Sequence, residues 1–272
     1  MEQEGIKINK TVARAIDIMD YIATNKKPVT LATISKELSI PKSSAFDIMH
    51  TLAEKKMLKA NNETKQFSLD VKSFEIGSGY LSRNDVHTVA RPLLKQISQQ
   101  TGETAFLAVE NNGMIVYLDK VEGISPTRTT CVIGDRNLMH CTGLGKAILA
   151  TMPIEKIRLI TGGGSLQVRT QNTHATFNSL MLDLEEIRKR GYSIDNREDN
   201  DYVYCVAVPI LDGDNNCIAA ISISAIYTPD TENHREAFSQ LITNAALEIS
   251  RKFGYVNPRI YSEDTYGLTD IN

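Results

Sequence analysis

No tryptophan occurs in this 272-residue chain, and only four cysteines do. Cys131, Cys141, Cys205 and Cys217 form no CxxC pair and keep no regular spacing. With 42% hydrophobic residues the chain has core material enough to fold without disulfide staples, and a structural zinc site needs paired ligands. Neither is expected. The N-terminus, MEQEGIKINK, lacks the apolar core of a secretory signal. No run approaches eighteen apolar residues, so no membrane-spanning helix is expected and the cytoplasm is the expected location. Charge of one sign is also scarce, with a net of −3. Residues 1–80 hold twelve basic and ten acidic residues, which leans only slightly toward a polyanionic partner. No internal repeat or long low-complexity segment is present.

What is present begins with helical spacing at Val12, Ala15, Ile16, Met19 and Ile22. Asn25-Lys26-Lys27-Pro28 breaks it, and Thr30 suits the cap of a second helix with Ile34 and Leu38 inward. Ser39-Ile40-Pro41 forms a tight turn. A third helix then places Ala45, Ile48, Met49 and Leu52 at i, i+3, i+4 and i+7. Two short β-like pieces follow, at 57–60 and 66–69, around the loop Asn61–Lys65. Helix, turn, helix and hairpin in this order describe a winged helix-turn-helix whose third helix can enter a major groove. Lys42, Ser43 and Ser44 offer a charge, two hydroxyls and free N–H groups to phosphate, His50 can reach a base edge or the backbone, and Lys65 sits in the wing. Asp47 opposes this, because a carboxylate repels phosphate, although it can accept from cytosine N4. Three-helix units also serve as docking modules, and the pattern alone leaves that open.

Residues 71–82 suit a connecting helix, and Asn84 or Asp85 caps another running to about Gln100 and ended by Gly102. Strands are expected at 104–109, 114–120, 127–133, 205–211 and 217–225, with Asn112-Gly113 as a hairpin signal. Helices are expected at 142–152, 153–160, 176–190 and from Asp230 or Thr231 to Phe253, with a polar, mobile tail from 254. Interleaved helices and hairpin-paired strands make the fold class α+β.

The segment His140-Cys141-Thr142-Gly143-Leu144-Gly145-Lys146 fails as a phosphate-binding loop, since GxxxxGK[ST] needs Gly at 140 and Ser or Thr at 147. A Cys–His nucleophile pair is poor when the two are adjacent and no orienting acid follows. A helix start capped by Thr142 fits well, either for packing or to bring N–H groups to an anionic ligand. Ser222 and Ser224 share one face of a strand in an apolar run, as a polar pocket floor or as serines bonded to backbone. Asp195 follows a strand-like piece, and Cys205 heads the next. His87, His174 and His234 are scattered, and Gly162-Gly163-Gly164 reads as a mobile loop.

The stretches LATISKEL and IPKSSAFDIMHTLAEKKML, then LMHCTGLGKAILA, GYSIDNREDNDYVYCVAVPI and AISISA, resemble the IclR family of bacterial transcriptional regulators, over about 9–253. Arginine is common in that family where Asp47 stands, and glycine where Ser39 stands. The resemblance implies a winged helix-turn-helix at 1–80, a linker helix at 81–101, a GAF-like α/β effector-binding domain at 102–255 and a polar tail at 256–272. It places the effector pocket at Thr129, Asn137, Gly143, Leu144, Asp195, Cys205, Ser222 and Ser224. The expected function is ligand-responsive regulation, as a repressor of metabolic genes. A small hydroxy or oxo acid is the expected effector, because a carboxylate beside Asp195 requires one of the two to be protonated or Asp195 to meet a hydroxyl. Expected partners are a near-palindromic double-stranded DNA operator and a second copy, as a dimer or dimer of dimers. The rival is an enzyme using the C-terminal pocket. No catalytic pair, metal-ligand spacing or cofactor fingerprint supports it.

Overall fold

The computed structural model describes residues 8–25, 27–82, 85–124 and 131–261, which fall into two compact units, Met1–Arg83 and Asn84–Asn272. In the first unit α1 (Lys10–Thr24) starts where the Asn9 side chain accepts from the N–H groups of Thr11 and Val12. A two-residue strand β1 (Val29–Thr30) precedes α2 (Leu31–Glu37), capped by Thr30 through the Thr33 N–H. Then come α3 (Lys42–Glu54), β2 (Leu58–Asn61), β3 (Gln66–Leu69) and α4 (Val71–Ser82). The small sheet is antiparallel in the order β1-β3-β2. β1 has no counterpart in the sequence reading, because two residues carry no periodicity.

Ile18, Ile22, Ile34, Ala45, Ile48, Met49, Leu58 and Phe67 form the core of this unit. On α1 the buried stripe runs through Ile18 and Ile22, while Val12 and Ile16 face outward, 56% and 55% exposed. The helix thus carries two apolar faces, and the fold of one chain covers only one. Ser39, in the α2–α3 turn, adopts φ 52°, a left-handed conformation that glycine takes without cost.

The second unit is built on a six-stranded antiparallel sheet in the order β6-β5-β4-β9-β8-β7. The strands are β4 (Thr104–Asn111), β5 (Met114–Val121), β6 (Arg136–Leu138), β7 (Ser193–Asn196), β8 (Val203–Leu211) and β9 (Cys217–Ile226). α5 (Asp85–Thr101) and α10 (Arg235–Lys252) pack against β4, β8 and β9 and bury Leu94, Ile97, Ile242 and Ile249. α6 (Gly143–Leu149) lies on the sheet over β8, and α7 (Ile154–Thr161), α8 (Phe177–Arg190) and the short α9 (Pro229–Asn233) complete the unit. Asn112 and Gly113 take positive φ, as an Asn-Gly hairpin turn requires.

Three expectations are corrected. Of the strand expected at 127–133, residues 127–130 lie outside the described residues and 131–133 are not in a strand. The strand there is β6, against Met114–Val116, because a turn at Val132–Asp135 diverts the chain: Asp135 accepts from the Val132 N–H and Gly134 takes φ 92°. The last helix is capped by Thr228, with Pro229 in its first turn, and breaks at His234 into α9 and α10. The expected mobile tail is docked as far as Tyr261: Tyr255, Ile260 and Tyr261 are buried, and the Tyr261 hydroxyl donates to the Ala147 carbonyl at 3.0 Å. Three apolar anchors in a polar stretch outweigh its average composition.

Ser39→Gly is expected to stabilise the first unit. Relief of a left-handed non-glycine residue is worth about 1–2 kcal/mol, and the added freedom of the unfolded chain offsets about 0.4–1 of that. Urea denaturation of the full-length protein should show a later first transition, and an unchanged or earlier one counts against strain at Ser39.

Candidate functional site

Strand register brings the polar residues of the second unit together. Asp195 faces Cys205, Cys205 faces Ser224 and Ser224 faces Thr104, forming one row across β7, β8, β9 and β4. The adjacent row on the same face is Ser193, Ala207, Ser222 and Phe106. α6 starts above these rows. Thr142 caps it, accepting from the Gly145 N–H at 3.1 Å and donating to the Leu138 carbonyl at 2.8 Å. A Cβ on Gly143 would stand 3.3 Å from the Cys205 Cβ and 3.5 Å from the Ala207 Cβ, so its smallness serves close helix-on-sheet packing. Gly145 is stricter, since a Cβ there would stand 2.3 Å from the Met139 backbone.

Between α6 and the sheet lies a cavity of about 460 Å³. Gly143, Leu144, Asp195, Cys205, Ser222 and Ser224 line it, joined by Thr142, Arg169, Asp199, Phe106 and Tyr117. Thr129 lies outside the described residues. Asn137 is not on the wall: it stands behind Asp199, donating to its carboxylate at 2.9 Å. The cavity's lining is polar at Asp195, Ser222, Ser224, Arg169 and Asp199 and apolar at Phe106, Leu144 and Ile226.

Asp195 is 2% exposed and accepts the Glu198 N–H at 2.7 Å. Burial pushes its carboxyl well above the ordinary carboxylate value, and the nearby Glu198 charge adds to this. The environment thus favours the protonated form of Asp195, which can donate to an oxygen, over the carboxylate. Burial likewise pushes up the Cys205 thiol, which bonds the Ser224 hydroxyl at 3.2 Å. A thiol held protonated is a poor nucleophile.

Behind Asp195 stands Lys146, 1% exposed, with its ammonium 2.6 Å from Asp183 and 2.5 Å from Glu198. Burial alone would lower its pKa, but the Glu198 and Asp183 charges outweigh that and raise it. Burial alone would raise the Asp183 carboxyl, but bonds from His174 and Lys146 hold it well below the usual range. His174, Asp183 and Glu198 bring their donor atoms within 4.8 Å of one another, a spacing that can hold a metal ion. Here the Lys146 ammonium and Arg190, 3.4 Å from Asp183, already balance the two carboxylates. The group is an ion-pair hub centred on the buried Lys146, with one Glu198 oxygen left without a hydrogen-bond partner among the described residues.

In the first unit, Lys42, Ser43, Asp47, His50 and Lys65 are exposed and Ser44 half-buried. Lys65 closes the wing turn at φ 55°, after Asn61 accepts from the Glu63 and Thr64 N–H groups. His50 is less free than its sequence position suggests, its ring tilted against Phe46 at 4.0 Å and edge-on to Phe67 at 5.9 Å.

Comparison with known proteins matches residues 11–61 to the IclR helix-turn-helix domain and 78–251 to the bacterial transcriptional regulator IclR C-terminal domain. The chain belongs to the IclR family. It is 31% identical to the HTH-type transcriptional regulator BhcR of Paracoccus denitrificans, over 89% of this chain and 86% of that protein. It is 26% identical to the transcriptional repressor IclR of Escherichia coli, over 90% of each. The crystal structure of the Thermotoga maritima IclR superposes with a TM-score of 0.73 at 33% identity, covering 90% of this chain and 99% of that one. This IclR-family chain is a DNA-binding transcriptional regulator with a winged helix-turn-helix and an α/β effector domain. Among its described residues no helix is long and apolar enough to cross a membrane.

Sequence reasoning missed Arg169, Asp199 and Lys146 in this IclR-family protein. The first two come from loops without periodicity. Lys146 carried a signal, a lysine inside the otherwise apolar Leu144–Ala150, but it was weighed only as a phosphate ligand.

Asp195→Asn is expected to stabilise the protein at about pH 7–8. The native state holds a proton on Asp195 that the unfolded chain releases above about pH 4. That group's contribution is full below this pH and declines as pH rises toward the folded value. Urea midpoints across pH should show the variant ahead of wild type at neutral pH and level with it near pH 4. Lys146→Met should cost about 3–5 kcal/mol, because it strands the buried Glu198 carboxylate without its cation, while Asp183 keeps Arg190. A loss under 1 kcal/mol in the same assay would argue against the hub.

Proposed function

We propose that this regulator represses metabolic genes by binding a near-palindromic operator as a dimer or dimer of dimers, and that a small hydroxy or oxo acid releases it. The observation that carries the effector class is the buried Asp195 on the cavity wall beside Ser222 and Ser224, in surroundings that favour its protonated form. A protonated acid donates to a hydroxyl or carbonyl oxygen and does not repel an anion. The effector's carboxylate sits at the start of α6, where the Gly143 and Leu144 N–H groups meet no acceptor among the described residues, and Arg169 on the same wall supplies a cation. Ser222 and Ser224 complete the oxygen-binding floor. Protein of this kind acts in the cytoplasm, where its DNA is.

Dimerisation is supported by apolar surface left over in the first unit. Val12 and Ile16 on α1, and Val71, Phe74, Ile76 and Tyr80 on α4, are all more than half exposed. A second copy burying these faces sets two reading helices at the spacing of two half-sites. The effector acts only in so far as it binds one arrangement of the dimer better than the other.

Fluorescence anisotropy of the full-length protein on DNA from upstream of its own gene, with a random duplex as control, is the test. Selective binding is expected, its logarithm falling with log salt by about 0.9 for each phosphate neutralised. Equal affinity for the random duplex overturns the operator reading. A panel of hydroxy and oxo acids should then release the complex. In the Ser222→Ala, Ser224→Ala double variant the releasing acid should bind about tenfold or more weakly, from two lost hydrogen bonds. Undiminished affinity would remove these serines from the effector site.

A further inference from the structure

On α3 the residues Ser43, Phe46, Asp47 and His50 stand at i, i+3, i+4 and i+7, so they share one face of the helix. That face is the one opposite Ala45, Ile48 and Met49, which enter the core. Its middle is occupied by an aromatic ring: Phe46 is 47% exposed. The ring thus offers an apolar surface amid Lys, Ser, Asp and His, on the face that would meet a groove. The ring leans on the His50 imidazole, centroids 4.0 Å apart and tilted by 39°, and His50 in turn lies edge-on to Phe67, whose body is buried in β3 of the wing. The three rings make a ladder running from the core to the outer surface of the reading helix, with Phe46 as its exposed end.

We propose that Phe46 is a specificity-determining residue that lays its ring against the 5-methyl group of a thymine in the major groove. The inference rests on the reading of α3 as the helix that enters DNA. Of the groups displayed in that groove, the thymine methyl is the apolar one, and an exposed aromatic ring backed by His50 is a matching surface for it. The neighbouring Asp47 tolerates only a donor, which in the groove is the N4 amino group of cytosine or the N6 amino group of adenine. The His50 ring, held between two phenylalanines, acts on DNA as the support that fixes Phe46.

The experiment begins with selection of duplexes from a randomised pool by the full-length protein. Recovery of no duplex that binds better than the pool would overturn the DNA reading of α3 itself, and with it this proposal. In a selected duplex each thymine is replaced in turn by deoxyuridine, which removes the methyl and nothing else. Wild-type protein should lose about three- to fivefold affinity at one thymine of a half-site, the worth of one buried methyl group. Phe46→Ala should bind the thymine and uracil duplexes equally at that position. Phe46→Leu, which keeps an apolar contact, should retain part of the preference. Uracil tolerated everywhere, or a penalty that persists in Phe46→Ala, overturns the proposal. So does a Phe46→Ala protein whose uracil scan matches wild type but whose sedimentation shows a changed oligomer, since the ring then belongs to a contact between copies.

Discussion

The ammonium of Lys146 is the point on which the effector domain depends. It joins three pieces of chain that are distant in sequence: α6, which carries the lysine; α8, which supplies Asp183; and the turn after β7, which supplies Glu198. Glu198 passes the constraint onward, because its backbone N–H holds Asp195 and its carbonyl accepts from Thr170 and Thr173. The position of Asp195 on the cavity wall is therefore tied, through Glu198, to an ion pair beside it. Replacing such a pair by apolar side chains can leave stability intact, but removing one partner cannot. What the pair supplies here is a fixed geometry for the turn that bears Asp195, Glu198 and Asp199.

Much of this architecture was legible in the sequence, for identifiable reasons. Ala45, Ile48 and Met49 repeat at helical spacing, so the reading helix and its buried face could be placed. The alternation in Ile221-Ser222-Ile223-Ser224 fixed two hydroxyls on one face of one strand, and the register with Cys205 and Asp195 completed the row. Legibility ended where periodicity ended. Arg169 and Asp199 reach the cavity from loops, β1 is two residues long, and the Val132–Asp135 turn displaced an expected strand. A single chain's sequence also could not tell which of two apolar stripes on α1 would be covered, since both satisfy the same spacing.

The two departures from the family pattern have different physical weight. Ser39 asks the backbone for a left-handed turn that its side chain resists, a local cost that the packed helices on either side override. Asp47 changes what the exposed surface can bond to and costs the fold nothing, because its side chain points away from the core. One is a matter of how well the unit holds together, the other of what it recognises.

The close approach at Gly145 bears on how a signal can leave the cavity. The space where a Cβ would stand is filled by the Met139 backbone, and Thr142 ties the same stretch to the helix through Leu138. The end of β6, the turn and α6 thus form a single strut with no slack between its parts. The same helix carries the Ala147 carbonyl to which the Tyr261 hydroxyl donates, so the start of α6 at the cavity and the docked segment at Tyr255–Tyr261 are tied to one rigid piece of backbone.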